Sequence, residues 1–379
     1  MPHRFSFPTT IHFGPGVRDM IGPHLASAGV KRPLIVTDKG IAALPLLGQA
    51  RAALAGAGLE VEAFSGIWGN PVKTQVEAGV AAYKAHRADG IVGLGGGAAV
   101  DVAKAIALMA THPGDLFDYE DEKPGARPID GDIPYWVAVP TTAGTGSEVG
   151  RSSVVSDDAT HIKKIIFSPK LLARAVFADP ALTTGLPPAV TAATGMDALT
   201  HCVEAFLAKD YHPICDGIAL EGLRLAAAHL VGAYERPNDL DARGGMLMAS
   251  MMGAIAFQKG LGLTHSCAHA LGTVADMHHG LANGVMIDHA LAFNADVSAE
   301  RFRRMAQTID LPDATAQGFL AWLTDLKKKV GVPARLRDAK VAEADLPKLV
   351  DVATADACHP NNPRPVTRAD FEQIFRQAW

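Results

Sequence analysis

The segment GMDALTHCVEAF (residues 195–206) carries a carboxylate, Asp197, and an imidazole, His201, among small and apolar neighbours. Four residues apart on a helix, the two side chains share one face and can grip a single ion. About sixty residues on, GLTHSCAHALGTVADMHHGLANG (262–284) brings His265 and His269 at the same spacing. His278 and His279 follow where that helix is expected to give way to a loop. A carboxylate with several imidazoles suits a borderline divalent cation such as Fe²⁺, Zn²⁺, Co²⁺ or Ni²⁺, and disfavours Mg²⁺ and Ca²⁺. Each histidine alone reads as core filler. The set is harder to read that way, because an unpaired Asp197 in an apolar helix would cost several kcal/mol that a cation removes.

A second group of residues suits a dinucleotide. GLGGGAAVDVAK (93–104) follows an apolar run and opens a helix, so Gly95, Gly96 and Gly97 allow a tight turn and present backbone N–H groups to phosphate. Asp38 ends the strand-like PLIVTD (33–38), where its carboxylate can bond ribose hydroxyls and repel a 2′-phosphate. PTTAGTGSE (140–148) follows another strand-like run with small hydroxyl residues suited to a nicotinamide ribose or phosphate.

These motifs require two kinds of scaffold. Strand-like runs at 33–38, 61–66, 90–97 and 135–142 alternate with helical periodicity at 75–86 and 100–110. That alternation predicts a parallel Rossmann-like sheet with helices on both faces. Beyond GLPPAV (185–190) the strand-like runs stop, and Pro187–Pro188 suits a helix start. The expected division is an α/β dinucleotide-binding domain over 1–186 and an all-helical metal-binding and substrate domain over 187–379.

The chain has 379 residues and a formal net charge of −5, with no long basic run, so nucleic acid and anionic membrane are not expected partners. The longest apolar run, 246–257, falls short of the roughly 20 residues a bilayer demands. Four cysteines without paired spacing read as reduced thiols, the pattern of a cytoplasmic protein.

Over its full length the sequence resembles the iron-containing (group III) alcohol dehydrogenase family. The likeness rests on FPTTIHFGPG (7–16), GGGAAVDVAKA, PTTAGTGSEV, AATGMDALTHCVEA, GLTHSCAHALG, HHGLANG and NNPRP (361–365). It implies the dehydroquinate-synthase-like fold, with an α/β nucleotide domain and an all-α domain. The implied ligands of the ion are Asp197, His201, His265 and His279, with His269 beside them as proton carrier; Fe²⁺ is the implied ion, with Zn²⁺ or another divalent ion as alternatives. For NAD, rather than NADP, it implies Asp38 at the adenosine ribose, with Asn70 also among the cofactor-binding residues. It adds Gly96, Gly97, Ala98 and Asp101 at the diphosphate turn, Thr141 and Thr142 on the nicotinamide side, Lys164 near a ribose, and Leu182. Two departures from the family pattern are Ala98 in place of serine and Gly69 in place of proline in the turn before Asn70.

The expected activity is hydride transfer between NAD(H) and a small primary alcohol or aldehyde, in a homodimer or higher homo-oligomer. Lys259, His359 and Arg364 resemble the 4-hydroxybutyrate dehydrogenase branch, in which a cation meets a distal carboxylate. Two alternatives are an NAD- and metal-dependent lyase of the dehydroquinate-synthase type and a non-enzymatic NAD-binding protein.

Overall fold

The computed structural model describes residues 9–379 except Glu122; the first two residues of the 7–16 motif lie outside the described set. Among the described residues eight strands occur: β1 (Thr10–Phe13), β2 (Pro33–Asp38), β3 (Glu62–Ile67), β4 (Gly90–Gly95), β5 (Tyr135–Pro140), β6 (Ser152–Ser156), β7 (Lys163–Phe167) and β8 (Ala175–Ala178). Six of them form one wholly parallel sheet in the order β1-β8-β5-β4-β2-β3. Strands β6 and β7 pair separately as an antiparallel hairpin. The four strand-like runs of the sequence are β2 to β5. By contrast β1, β8 and the hairpin carry too little periodicity in four or five residues to stand out. Helices follow the strands, as right-handed parallel crossovers require. In β4 every residue is buried, because helices cover both faces of the sheet and leave no polar side to alternate.

The sheet, its helices and the hairpin make one compact unit, within Ser6–Thr142 plus Ser147–Thr183. Strand β2 leads outward to β3, whereas β4 leads the other way to β5, so the order reverses between β2 and β4. At such a reversal the loops leaving the two strands splay apart at their carboxyl ends and open a crevice. Asp38 ends β2, Gly95 ends β4, and Thr141 and Thr142 follow β5 at the same edge.

The second unit, Ala143–Gly146 plus Thr184–Trp379, is helical. Its central helix, Pro188–Leu207, starts with Pro188 in the first turn and is buried along almost its whole length. Small residues permit this: a Cβ on Gly195 would strike Leu230, and Gly253 comes close to His201. Helices Pro213–Glu235, Leu240–Ala256 and His279–Asn294 pack around it. Helix Leu263–Ala275 ends at Asp276, which adopts the left-handed conformation at φ 48°. The chain turns there, and His279 opens the next helix instead of lying in a loop. Among the described residues no single helix is long and apolar enough to cross a membrane.

Gly280, directly after His279, lets its helix lie against the central one; a Cβ there would collide with the Ala193 carbonyl oxygen. Gly280→Ala is expected to cost about 1–3 kcal/mol through overpacking. Urea unfolding of the variant and parent, compared by midpoint at equal slope, checks this.

Candidate metal and dinucleotide sites

The central helix presents Asp197, His201 and Glu204 as one stripe, at spacings of four and then three residues. Helix Leu263–Ala275 supplies His265, and the first residue of the following helix supplies His279. One ligand atom from each of Asp197, His201, His265 and His279 lies within 4.8 Å of all the others. The Nε2 atoms of His201, His265 and His279 stand 3.8, 3.9 and 3.4 Å from Asp197 Oδ1. Those separations are too long for hydrogen bonds. They are near the edge of a coordination shell, since tetrahedral ligands about 2.1 Å from one ion stand about 3.4 Å apart.

The electrostatics of the cluster also fit a cation. Asp197, His201 and His265 are almost fully buried. Among the described residues no lysine or arginine pairs with Asp197. Burial pushes the His201 imidazole down to about 4, with Asp197 only partly opposing, so at neutral pH the ring is an uncharged ligand. Three nitrogens therefore face a buried carboxylate, whose charge calls for a cation at the point where they converge. Asn283 borders the set, its Nδ2 donating to Asp197 Oδ1 at 2.7 Å.

Glu204 holds this geometry. Its Oε2 accepts from His265 Nδ1 at 2.7 Å and from Gly262 N at 3.0 Å, and its Oε1 accepts from Thr264 N at 2.6 Å. Burial alone would raise this carboxyl, but the His265 bond and the backbone donors outweigh it and hold the group ionised below the usual range. The bond fixes the proton of His265 on Nδ1 and leaves Nε2 as the ligand atom. His269, one turn beyond His265, donates from Nδ1 to Asp356 Oδ2 at 2.7 Å. Its ring stacks on His279 with centroids 5.4 Å apart.

Neither Glu204, Asn283 nor Asp356 was picked out in the sequence. Glu204 lies seven residues after Asp197 and Asn283 four after His279, both helical spacings that could have flagged them. Asp356 is 87 residues from its partner, and no local signal announces it.

In the α/β unit, Asp38 Oδ1 accepts from Ile41 N at 2.9 Å, and its other oxygen faces Gly95, where a Cβ would come within 3.1 Å of it. Gly95 has φ +151°, open to glycine but strained for other residues. Gly96 lies against Thr142, and Thr141 N bonds Gly95 O. Helix Gly97–Met109, with Ala98 in its first turn, has no side-chain cap, so its leading N–H groups suit an anion. Asp38, the glycine turn and Thr142 thus form one neighbourhood, and Asn70 follows β3 at the same edge, exposed.

Three residues expected at the dinucleotide are engaged by the protein itself. Asp101 accepts from Ser147 Oγ and Val154 N and pairs with Lys104, bracing the hairpin. Lys164 pairs with Glu120 at 2.9 Å, and Leu182 packs into the core with Leu94 and Val139.

The expectation that Lys259 offers its charge to a substrate is corrected. Its side chain is fully buried, with Nζ on Asp216 Oδ1 at 2.5 Å and on the Phe206 carbonyl at 3.0 Å. The ammonium is thus committed to two acceptors within the protein, and Asp216 also pairs with Arg301 at 3.1 Å. Arg364 is likewise bonded to the Phe293 carbonyl and lies over that ring, and His359 Nε2 bonds the Thr354 carbonyl.

Residues that could hold a metal ion, in a chain whose parallel sheet carries a glycine turn suited to phosphate, fit a metal- and nucleotide-using enzyme class. Comparison with known proteins agrees. The family model for iron-containing alcohol dehydrogenase matches residues 8–180, and that for the C-terminal part of the Fe-containing alcohol dehydrogenase family matches 191–379. The chain is 39% identical to a 4-hydroxybutyrate dehydrogenase of Cupriavidus necator, over 98% of each. It is 38% identical to a 1,3-propanediol dehydrogenase of Klebsiella pneumoniae, over 98% of this chain and 97% of the other. A crystal structure of a 1,3-propanediol oxidoreductase superposes with a TM-score of 0.95 at 37% identity, over the whole of both chains. A sulfoacetaldehyde reductase from Bifidobacterium kashiwanohense in complex with NAD⁺ superposes at 0.89 and 28%, over 100% and 99%. The chain belongs to the iron-containing alcohol dehydrogenase family. Membership implies a metal ion and NAD, and it sets the lyase and non-enzymatic alternatives aside.

Glu204→Gln keeps an acceptor but removes the charge that orients His265. Metal affinity is expected to fall about 10–100-fold, read by competition with a chelator. His201 generates a pH prediction for the metal-free protein. The unfolded imidazole titrates at 6.5 and the folded one at about 4, so the unfolded chain binds the proton more tightly between those values. Stability should be level above about 6.5 and decline as pH falls toward about 4. His201→Gln should flatten that part of the decline in denaturation midpoints measured across the window.

Proposed function

We propose that the protein is a metal-dependent alcohol dehydrogenase transferring hydride reversibly between NAD(H) and a short primary alcohol or its aldehyde. The observation that carries this reading is the convergence of Asp197, His201, His265 and His279 on one point. When bound, a divalent ion, Fe²⁺ before Zn²⁺, acidifies an alcohol or polarises a carbonyl, while nicotinamide supplies or takes the hydride. Asp197 and the three imidazoles would hold that ion. Glu204 keeps His265 in the ligating tautomer. His269, whose ring is held by Asp356 through Nδ1, would pass a proton between substrate oxygen and water. Asp356 is the positioning residue for that ring, and its carboxyl is held far below the usual range: burial opposes, but the His269 bond prevails.

Asp38 favours NAD, because a carboxylate at the ribose repels a 2′-phosphate. The glycine turn and the N–H groups of Gly97 and Ala98 would receive the diphosphate. For the substrate, relatives named for 4-hydroxybutyrate, 1,3-propanediol and methanol have a primary hydroxyl in common. With Lys259 neutralised by Asp216, recognition of the hydroxyl end decides the substrate, so 4-hydroxybutyrate gains no advantage from that lysine.

Three measurements test the proposal. Anaerobic preparations should contain one divalent ion per chain, and Asp197→Asn should lose it along with turnover. His269→Ala should lower kcat by roughly 100-fold or more with metal content unchanged. In a panel of 1-butanol, 1,3-propanediol and 4-hydroxybutyrate with NAD and NADP, all three should react, NAD should be preferred, and Asp38→Ala should narrow the preference. Unchanged turnover in Asp197→Asn would end the metal assignment.

A further inference from the structure

A second group of donors stands apart from the four described ligands. His269, Asp356 and Cys358 place one ligand atom each within 4.8 Å of one another, and all three are half-buried, within reach of solvent. Their positions are set by the fold. Asp356 and Cys358 follow helix Leu346–Thr354, and Asp356 Oδ1 accepts from Cys358 N at 2.8 Å and from Ser266 Oγ at 2.7 Å. Ser266 also accepts from His359 N at 2.9 Å, tying the loop to helix Leu263–Ala275. The carboxylate is thereby fixed, and its Oδ2 fixes the His269 ring. A thiol, an imidazole nitrogen and a carboxylate oxygen held together in this way are the donors of an open zinc site, three protein ligands with a position left for water.

We propose that His269, Asp356 and Cys358 form a second, sulfur-containing site for a zinc-class cation, and that filling it shuts off proton transfer. The inhibitory half rests on the reading of His269 as proton carrier; the binding half does not. The cation takes the place of the hydrogen between His269 Nδ1 and Asp356 Oδ2. The ring then carries its proton on Nε2, and the Cys358 thiol releases its proton to solvent, so one proton leaves per cation bound. With Nδ1 on the cation and Nε2 protonated, the imidazole has no lone pair left to accept a proton from substrate. Excess zinc thus becomes an inhibitor that acts beside the first site without displacing its ion.

Cobalt distinguishes the two sites, because Asp197 and its three imidazoles contain no sulfur. Titrating the metal-loaded protein anaerobically with Co²⁺ should develop a near-ultraviolet thiolate-to-cobalt charge-transfer band with one added equivalent per chain. Cys358→Ser should lose the band and that equivalent while keeping its activity without zinc. Its inhibition by zinc should weaken about 10-fold or more, the order expected when one ligand of a site is removed. In Asp197→Asn the band should persist. Absence of the band in the parent protein, its survival in Cys358→Ser, or its loss in Asp197→Asn would each overturn the second site. If Asp197→Asn instead keeps its full first-site metal, the assignment under the proposed function fails and the sulfur band still reads the second site.

Discussion

The Glu204 carboxylate joins the folding of the helical unit to the geometry of its metal cluster. It accepts the leading N–H groups of helix Leu263–Ala275, which would otherwise be unsatisfied in a buried setting. The same carboxylate receives the Nδ1 proton of His265. A negative charge at a helix N-terminus is favourable on dipole grounds as well. Because one group does both, the helix cannot shift along its axis without turning His265 away from Asp197. The histidine four residues on, His269, inherits the same placement.

The cluster itself is an arrangement of opposing costs. Burial keeps His201 uncharged, which suits it as a ligand but gives Asp197 no cationic partner among the described residues. The Asn283 amide donates to that carboxylate but leaves its charge in place. Such a site stays organised because its rings are packed: His201 stacks on His265 with centroids 4.8 Å apart, and His269 on His279. Elsewhere the molecule neutralises buried charge with protein groups. Lys259 meets Asp216, Lys327 meets Asp288, and Lys104 meets Asp101 and two serines. Burial also pushes the Glu148 carboxyl up to about 7, with nearby Lys104 only partly opposing. The contrast is chemical. Where an ion is to bind, the protein withholds its own cation; where structure alone is served, it supplies one.

The α/β unit takes the opposite approach to its ligand. Its candidate contacts are mostly backbone, at the reversal between β2 and β4, with the Asp38 carboxylate close to the glycine turn. Recognition through N–H groups at a helix start tolerates Ala98 in place of a serine, since the missing hydroxyl leaves those donors intact.

Local spacing by itself determined much of this protein. Asp197 with His201, and His265 with His269, are legible because a helix puts residues four apart on one face, and β2 to β5 are legible because their apolar runs alternate with helical ones. The same periodicity would have yielded Glu204 and Asn283. Only the tertiary structure decided which histidines converge, since His279 reaches the others through the turn at Asp276. It also decided that Lys259 belongs to Asp216, that Asp101 faces Ser147, and that Asp356 meets His269 across 87 residues. Those pairings depend on where separate helices cross. A sequence specifies the faces of each helix locally, but the partner of a long charged side chain is settled only when packing excludes water and leaves one counter-charge within reach.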